Sequence, residues 1–401
     1  MKYNVILLAF GLFSISAFAQ DGETIKIKPE SGYEFTVIKN LEATPVQDQF
    51  RTGTCWSFSA LGFFESELIR NGKGTHNLSE MFIVNHTYRD KADRYVRLHG
   101  KTNFGAGGAF TDVAYVWEKY GIVPEEAYSG LNYGMETHNH GELDAILEAY
   151  VNAVIEKKQG TLTPVWKKGF NAVVDTYLGE IPEEFEYRGK TYTPKSFADE
   201  LGLDMDDYVS LTSYTHHPFY SSFMLEIPDN WLHLHSYNLP LSELMEVVDY
   251  SIANGYTFAW GADVSEKGFA FREGLAILPE DESTIRVKGK DNSHFSDAGA
   301  DKVSDAFQTP VKQLEVTQEM RQEQFDDWRT TDDHGMQVTG LVHDQNGDKY
   351  YVVKNSWGTK YNDLDGYFLA SEAYVKLKTM NIYLHKDAIP KHIAKKLGFD
   401  S

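Results

Sequence analysis

The chain has 401 residues, 42% of them hydrophobic, with 38 Lys and Arg against 59 Asp and Glu for a formal charge of −21. That negative excess argues against nucleic acid or an anionic membrane as a partner, because neutralising phosphates takes clustered basic side chains. A single cysteine, Cys55, excludes any intramolecular disulfide, so stability must come from burial, for which a chain this size has ample apolar material in two or three lobes.

The first segment reads as an address label. Met1-Lys2 supplies a positive start, Val5 to Phe10 an apolar core and Ala17-Phe18-Ala19 a small-residue cleavage site. Residues 1–19 therefore predict a signal peptide and an exported, periplasmic or secreted mature protein. No segment reaches the ~18 apolar residues of a membrane span, which predicts no membrane insertion.

Residues 20–130 predict a helical lobe: an extended lead-in from Phe35 to Ile38, a helix opening at Cys55, a second from Leu78 to Tyr88 and a third from Ala109 to Tyr120. In the first helix Leu61, Phe64 and Leu68 recur at helical spacing, and Asn71-Gly72 supplies a stop. Cys55 then falls in the first turn, where unpaired amides and the helix dipole favour a thiolate, the nucleophilic form of the thiol. A free cysteine is more commonly an inert core residue, but an exported thiol left open to oxidation is better explained by a reactive role. The glycine cluster Gly105-Ala106-Gly107-Gly108 between the last two helices suits either a turn or close approach by another backbone.

Residues 131–238 predict an insertion, with a helix from Leu143 to Lys157, a short hairpin from Phe185 to Tyr192, and a helix begun by Thr193-Pro194 and running through Leu201. Residues 239–388 predict a β-rich lobe that opens with a helix from Ser242 to Asn254. Its strands are Thr257 to Ala262, a strand opening at His334 with apolar residues alternating from Met336 to Val342 except at Gly340, and a returning strand from Lys349 to Asn355. The Asp344-Gln345-Asn346-Gly347-Asp348 run between the last two is a strong turn signal. Folding about it brings Asn355 to within roughly 10 Å of His334, so one hairpin can carry a base and the residue that aims it. Residues 389–401 form a short tail. Gln49 adds a carboxamide that, with the backbone N–H of Cys55, could stabilise an oxyanion.

Gln49, Cys55-Trp56-Ser57-Phe58-Ser59, His334 and Asn355-Ser356-Trp357-Gly358, in this order, resemble the motifs of papain-like cysteine peptidases. His334 comes far later than the ~130–150 residues after the nucleophile that papain shows, so the chain needs an insertion. The bleomycin hydrolase and aminopeptidase C branch carries one. Tyr120-Gly121-Ile122-Val123-Pro124, Asp207-Tyr208-Val209-Ser210-Leu211 and Ala259-Trp260-Gly261-Ala262-Asp263 look like its sequence.

The resemblance implies an α+β fold of two lobes, helical and β-rich, with a helical insertion. It also implies peptide hydrolysis through an acyl-enzyme on Cys55, His334 and Asn355, with Gln49 at the oxyanion, Trp357 shielding the His–Asn bond, and Gly107 and Gly108 pairing with substrate backbone. No cofactor is implied. Peptides are the implied substrates, and ring-shaped homo-oligomers occur in the branch. There a longer C-terminal arm reaches into the cleft and holds the substrate's amine, so the short tail here sets endopeptidase action against the aminopeptidase reading. A non-catalytic peptide-binding protein is the reading from another class, disfavoured because all four catalytic positions are filled.

Competing chemistry is weaker. His138 and His140 with Glu142, His216-His217, and His233 with His235 are candidate metal-ligand groups, but each lacks a convincing further ligand at fixed spacing, so no metal is expected. Ser57 and Ser356 sit outside any Gly-x-Ser-x-Gly elbow.

Overall fold

A computed structural model describes residues 19–156, 160–288 and 301–399. Residues 1–18 of the predicted signal, Lys157 at the end of a predicted helix and residues 400 and 401 lie outside the described residues.

Helices dominate the first half of the chain. Cys55–Arg70, Glu80–Arg97, Phe110–Tyr120, Gly141–Ile155, Val165–Leu178 and Pro194–Leu201 pack around one apolar cluster. The helix at Cys55 has the bounds its periodicity predicts and buries every residue from Trp56 to Leu68. The next begins at Glu80, where the Ser79 side chain accepts from the Phe82 amide, and runs nine residues past Tyr88. That extension is polar in sequence, yet its Lys91 is buried and donates to the carbonyls of Gly105, at 2.9 Å, and Gly107.

The second half is organised by a twelve-stranded sheet among the described residues. Its centre runs Thr379–His385, Phe258–Ala262, His334–Asp344, Lys349–Lys354, Tyr367–Ser371. Phe258–Ala262 pairs antiparallel with both Thr379–His385 and the first half of His334–Asp344. The second half of that long strand pairs instead with Phe35–Asn40. The exchange occurs at Gly340, the break in the alternating pattern, where the ladder to Lys349–Lys354 also bulges. A Cβ at Gly340 would lie 2.6 Å from the Lys39 carbonyl, so the crossing requires a residue without a side chain. Tyr208–Thr212, Ser222–Met224 and His235–Asn238, all within residues 131–238, extend the same sheet beyond Thr379–His385.

The Cys55 helix lies across this sheet. Phe63 and Phe64 meet Tyr208 edge-on at 5.6 and 5.0 Å, and Phe63 meets Tyr383 at 6.2 Å. Full burial of each such ring contributes about 2–3 kcal/mol before strain and ordering are counted. Polar contacts fix the helix along the sheet. Gln337 donates to Ser66 Oγ at 2.8 Å, while buried Lys354 donates to Thr44 Oγ1, which in turn donates to Glu65. The lysine and Glu65 need each other, since either charge left alone in that interior would be strongly unfavourable.

The tail docks away from the helices of the first half of the chain. Lys391–Lys396 follows Pro390, and Ile393 and Leu397 enter the core cluster of the Leu241–Ala253 helix while Phe399 packs on Tyr237 at 4.8 Å. No described helix is long and apolar enough to cross a membrane.

Candidate active site

Cys55 is the first residue of its helix. Thr54 precedes it but does not cap it; its hydroxyl instead meets Thr52 Oγ1 at 2.6 Å, and no acidic residue occupies the first turn. The helix N-terminus is thus left electropositive beside the sulfur. The approach to it is tightly bent: Phe50 takes a left-handed conformation at φ 47°, and its amide donates to Asp48 at 2.9 Å.

His334 opens the long strand opposite, with Gly335 beside Gly261 across the ladder. A Cβ on Gly335 would meet Ser59 Oγ at 2.7 Å and the Phe110 ring at 2.9 Å, so glycine there lets the strand settle against the Cys55 helix. The backbone amides of Gly335 and Trp56 pull the pKa of the Cys55 thiol down. Cys55, His334 and Gly335 line one cleft of about 40 Å³, with Trp56, Gly108, Phe110, Ile227, Asp229, Asp332 and Asn381 among its walls.

The imidazole is oriented from behind. His334 Nε2 lies 2.8 Å from Asn355 Oδ1, which also accepts from the Ser356 amide at 2.8 Å. An oxygen that already accepts the Ser356 proton is an acceptor for the ring as well, so Nε2 carries the hydrogen and Nδ1 is left as the basic nitrogen. The Trp357 indole lies over the imidazole with centroids 4.7 Å apart, and His334 and Asn355 are both buried. Water is thereby kept from competing for the bond.

Burial opposes either lone charge. It pushes the Cys55 thiol up to about 12, raised further by the Asp229 and Asp332 carboxylates and moderated by the two amides; some of the residue's surface stays accessible, but its sulfur is closely packed round. The same desolvation takes His334 down to about 4, against the favourable effects of Asn355 and Asp333. A thiolate and an imidazolium formed together carry no net charge, so proton transfer from sulfur to ring avoids the cost that each ion would meet alone.

Gln49 is buried and held at both ends. Its oxygen accepts from Ser356 Oγ at 2.6 Å and its Nε2 donates to the Thr52 carbonyl at 2.9 Å, which leaves one amide hydrogen over. Gly108 lines the cleft, packed under Trp56, where a Cβ would come within 2.8 Å of the indole. Gly107 is differently engaged. Its carbonyl is taken by Lys91, and the Asp229 carboxylate fills the space where a Cβ would stand.

Asp229 and Asp332 carry no recognisable motif. Asp229 accepts from Asn103 at 3.0 Å, and the Asp332 carboxyl is pushed well above the usual range by burial and by Asp229 and Asp333. Only the fold brings these positions, about a hundred residues apart in sequence, to one wall. The tail residues 389–399 do not line this cleft.

Residues 19–278 and 298–400 match the profile of the Peptidase C1-like family. The aminopeptidase C of Streptococcus thermophilus is 24% identical over 416 residues, spanning 91% of this chain and 85% of that protein. The aminopeptidase C of Listeria monocytogenes is 23% identical over 420 residues, spanning 92% and 85%. Among solved structures, that of PepW from Lactobacillus rhamnosis superposes with a TM-score of 0.68 over 93% of this chain and 85% of that one, at 18% identity, a likeness of fold. The α+β, papain-like architecture expected from the sequence is the one found.

Proposed function

Because the chain belongs to the Peptidase C1-like family and is a cysteine peptidase, we propose that it removes residues from the free N-terminus of peptides through Cys55, His334 and Asn355. One observation carries the reading: Cys55, His334 and three aspartates, Asp229, Asp332 and Asp333, line the same cleft. Nδ1 of His334 takes the thiol proton as sulfur attacks the carbonyl carbon of the scissile bond. The spare Gln49 hydrogen and the Cys55 amide serve the developing oxyanion. His334 then returns the proton to the leaving amine, and water it activates next releases the acyl group from sulfur.

Aminopeptidase specificity is supported by the names of the relatives and by the cleft's charge. Asp229 and Asp332 repel each other and raise the thiol's pKa, and a substrate ammonium beside them relieves both effects. In this reading their carboxylates receive the substrate's amine. A peptide with a free N-terminus should be cleaved about 100-fold more efficiently than its N-acetylated form, the worth of one desolvated charge-assisted hydrogen bond of about 2–3 kcal/mol. Asp229→Asn should narrow that ratio by raising KM for the free peptide. Equal cleavage of both peptides, or preference for the blocked one, would assign an endopeptidase instead.

The pH profile offers a separate check. Catalysis requires His334 unprotonated, and burial places its loss of function below the ordinary histidine range. The acid limb of kcat/KM is therefore expected near pH 4, and a limb at pH 6.5 would contradict a buried base.

A further inference from the structure

The pair His216-His217 lacks a further ligand in the sequence, but the fold supplies one. Glu226, ten residues on and across the Ser222–Met224 strand, sets one carboxylate oxygen 3.0 Å from His216 Nε2 and the other 2.9 Å from His217 Nε2. The three ligand atoms lie within 4.8 Å of one another, the single such group of three among the described residues. We propose that His216, His217 and Glu226 form a site for a divalent transition ion of the zinc class, clamping the loop that carries Ile227 and Asp229 into the catalytic cleft.

The donor chemistry fits. Two imidazoles and a carboxylate are borderline ligands that suit Zn²⁺, and a tetrahedral ion with bonds of about 2.1 Å separates its ligand atoms by roughly 3.4 Å. The two spacings from the histidines to Glu226, 3.0 and 2.9 Å, need to open by about half an ångström, and all three ligand atoms already lie within 4.8 Å of one another.

The rings are already held. His217 stacks on Phe223 at 4.1 Å, and His216 lies parallel to Phe325 at 5.7 Å. Gln322, on the Gln318–Asp326 helix, brings its carboxamide to the far side of His216, with Nε2 3.0 Å and Oε1 3.4 Å from Nδ1. In the metal-free site Gln322 Nε2 donates to Nδ1; when Nε2 binds metal the ring proton moves to Nδ1, and turning the Gln322 amide lets Oε1 accept it, the kind of partner that fixes the tautomer of a metal-bound histidine. The backbone beneath is fixed too, since Asn238 Nδ2 donates to the carbonyls of Tyr214, at 2.7 Å, and His217, at 3.0 Å.

The location gives the ion a consequence. Glu226 directly precedes Ile227, which lines the cleft with Cys55, and Asp229 is two residues further. Asn230 folds the same segment back, donating to the carbonyls of Leu225 and Leu234 at 3.1 and 2.9 Å. An ion joining Glu226 to His216 and His217 therefore restrains one wall of the substrate site without touching the reacting groups.

The test is calorimetric titration of zinc(II) alone into the Cys55→Ala chain, which removes the catalytic thiol as a competing ligand. One equivalent is expected to bind, with its affinity lowered about 100-fold or more by His217→Ala and by Glu226→Gln. Zinc should also raise the melting temperature of the Cys55→Ala chain but not of either double variant. Should His217→Ala fail to fold, His217→Asn keeps a polar side chain there and is read the same way. No binding at one equivalent, or binding and thermal shift unchanged in the variants, would overturn the proposal.

Discussion

Cys55→Ala is expected to lower kcat for peptide hydrolysis by about 10⁵ while leaving the fold intact. Alanine is the best helix former and replaces a residue at the first position of its helix, so the change in stability should stay within about 1 kcal/mol. The loss is chemical, because no other group in the cleft can form the acyl intermediate. Removing a nucleophile from a comparable hydrolytic site costs on the order of 10⁵–10⁶ in kcat, and effects within such a unit do not add. His334→Ala should therefore be severe alone and nearly silent when combined with Cys55→Ala. Asn355→Ala should cost less, since Trp357 still covers the imidazole while the ring loses the oxygen that fixes its tautomer. Single-turnover kinetics and a melting curve for each variant suffice to check this. Cys55→Ala retaining more than about 1% of the parent rate would remove the sulfur from the mechanism.

The parts of this site that were legible in sequence are those specified by local rules. The Cys55 helix declares itself through Leu61, Phe64 and Leu68 and ends where Asn71-Gly72 stops it. The juxtaposition of His334 and Asn355 follows from alternation and one turn, and even the flaw in that pattern, Gly340, marks a real change of partner in the sheet. What escaped depends on distant segments meeting. The helix beyond Tyr88 looks solvated until Lys91 is seen bonding to glycine carbonyls. Val165–Leu178 and the central strand Thr379–His385 were not anticipated, because a short mixed stretch acquires its face only from its neighbours. Glu226 is the sharpest case. Ligand spacing is informative when one helix or loop carries every ligand, and here a strand intervenes between the histidines and the carboxylate.

Lys378→Met is expected to destabilise the protein by about 3–5 kcal/mol and to slow catalysis from a position outside the cleft. Lys378 is 1% exposed, and its ammonium donates to Gln324 Oε1 at 2.8 Å, the Arg329 carbonyl at 2.7 Å and Thr330 Oγ1 at 3.1 Å. It also pairs with Glu266 and lies 3.8 Å from Asp263. Asp263 in turn accepts from the Thr331 amide at 3.1 Å, and Asp333 accepts from the Val264 and Ser265 amides at 3.2 and 3.0 Å. These bonds fix the turn that leads into His334 at the wall of the cleft. Methionine keeps the length of the side chain but leaves Asp263 and Glu266 without their cation. The sign of the pH effect follows from Asp263, whose carboxyl burial and Asp333 already push up to about 7, with Lys378 pulling the other way. Without the lysine that value rises further. A carboxyl whose folded pKa is raised contributes its full stability below the unfolded value of about 3.9 and loses it as pH rises through the folded value, so the variant's deficit must grow between pH 5 and pH 8. Urea unfolding of both proteins at those two pH values measures the difference directly. A deficit under about 1 kcal/mol, or one that shrinks as pH rises, would mean that the turn before His334 is held by packing alone.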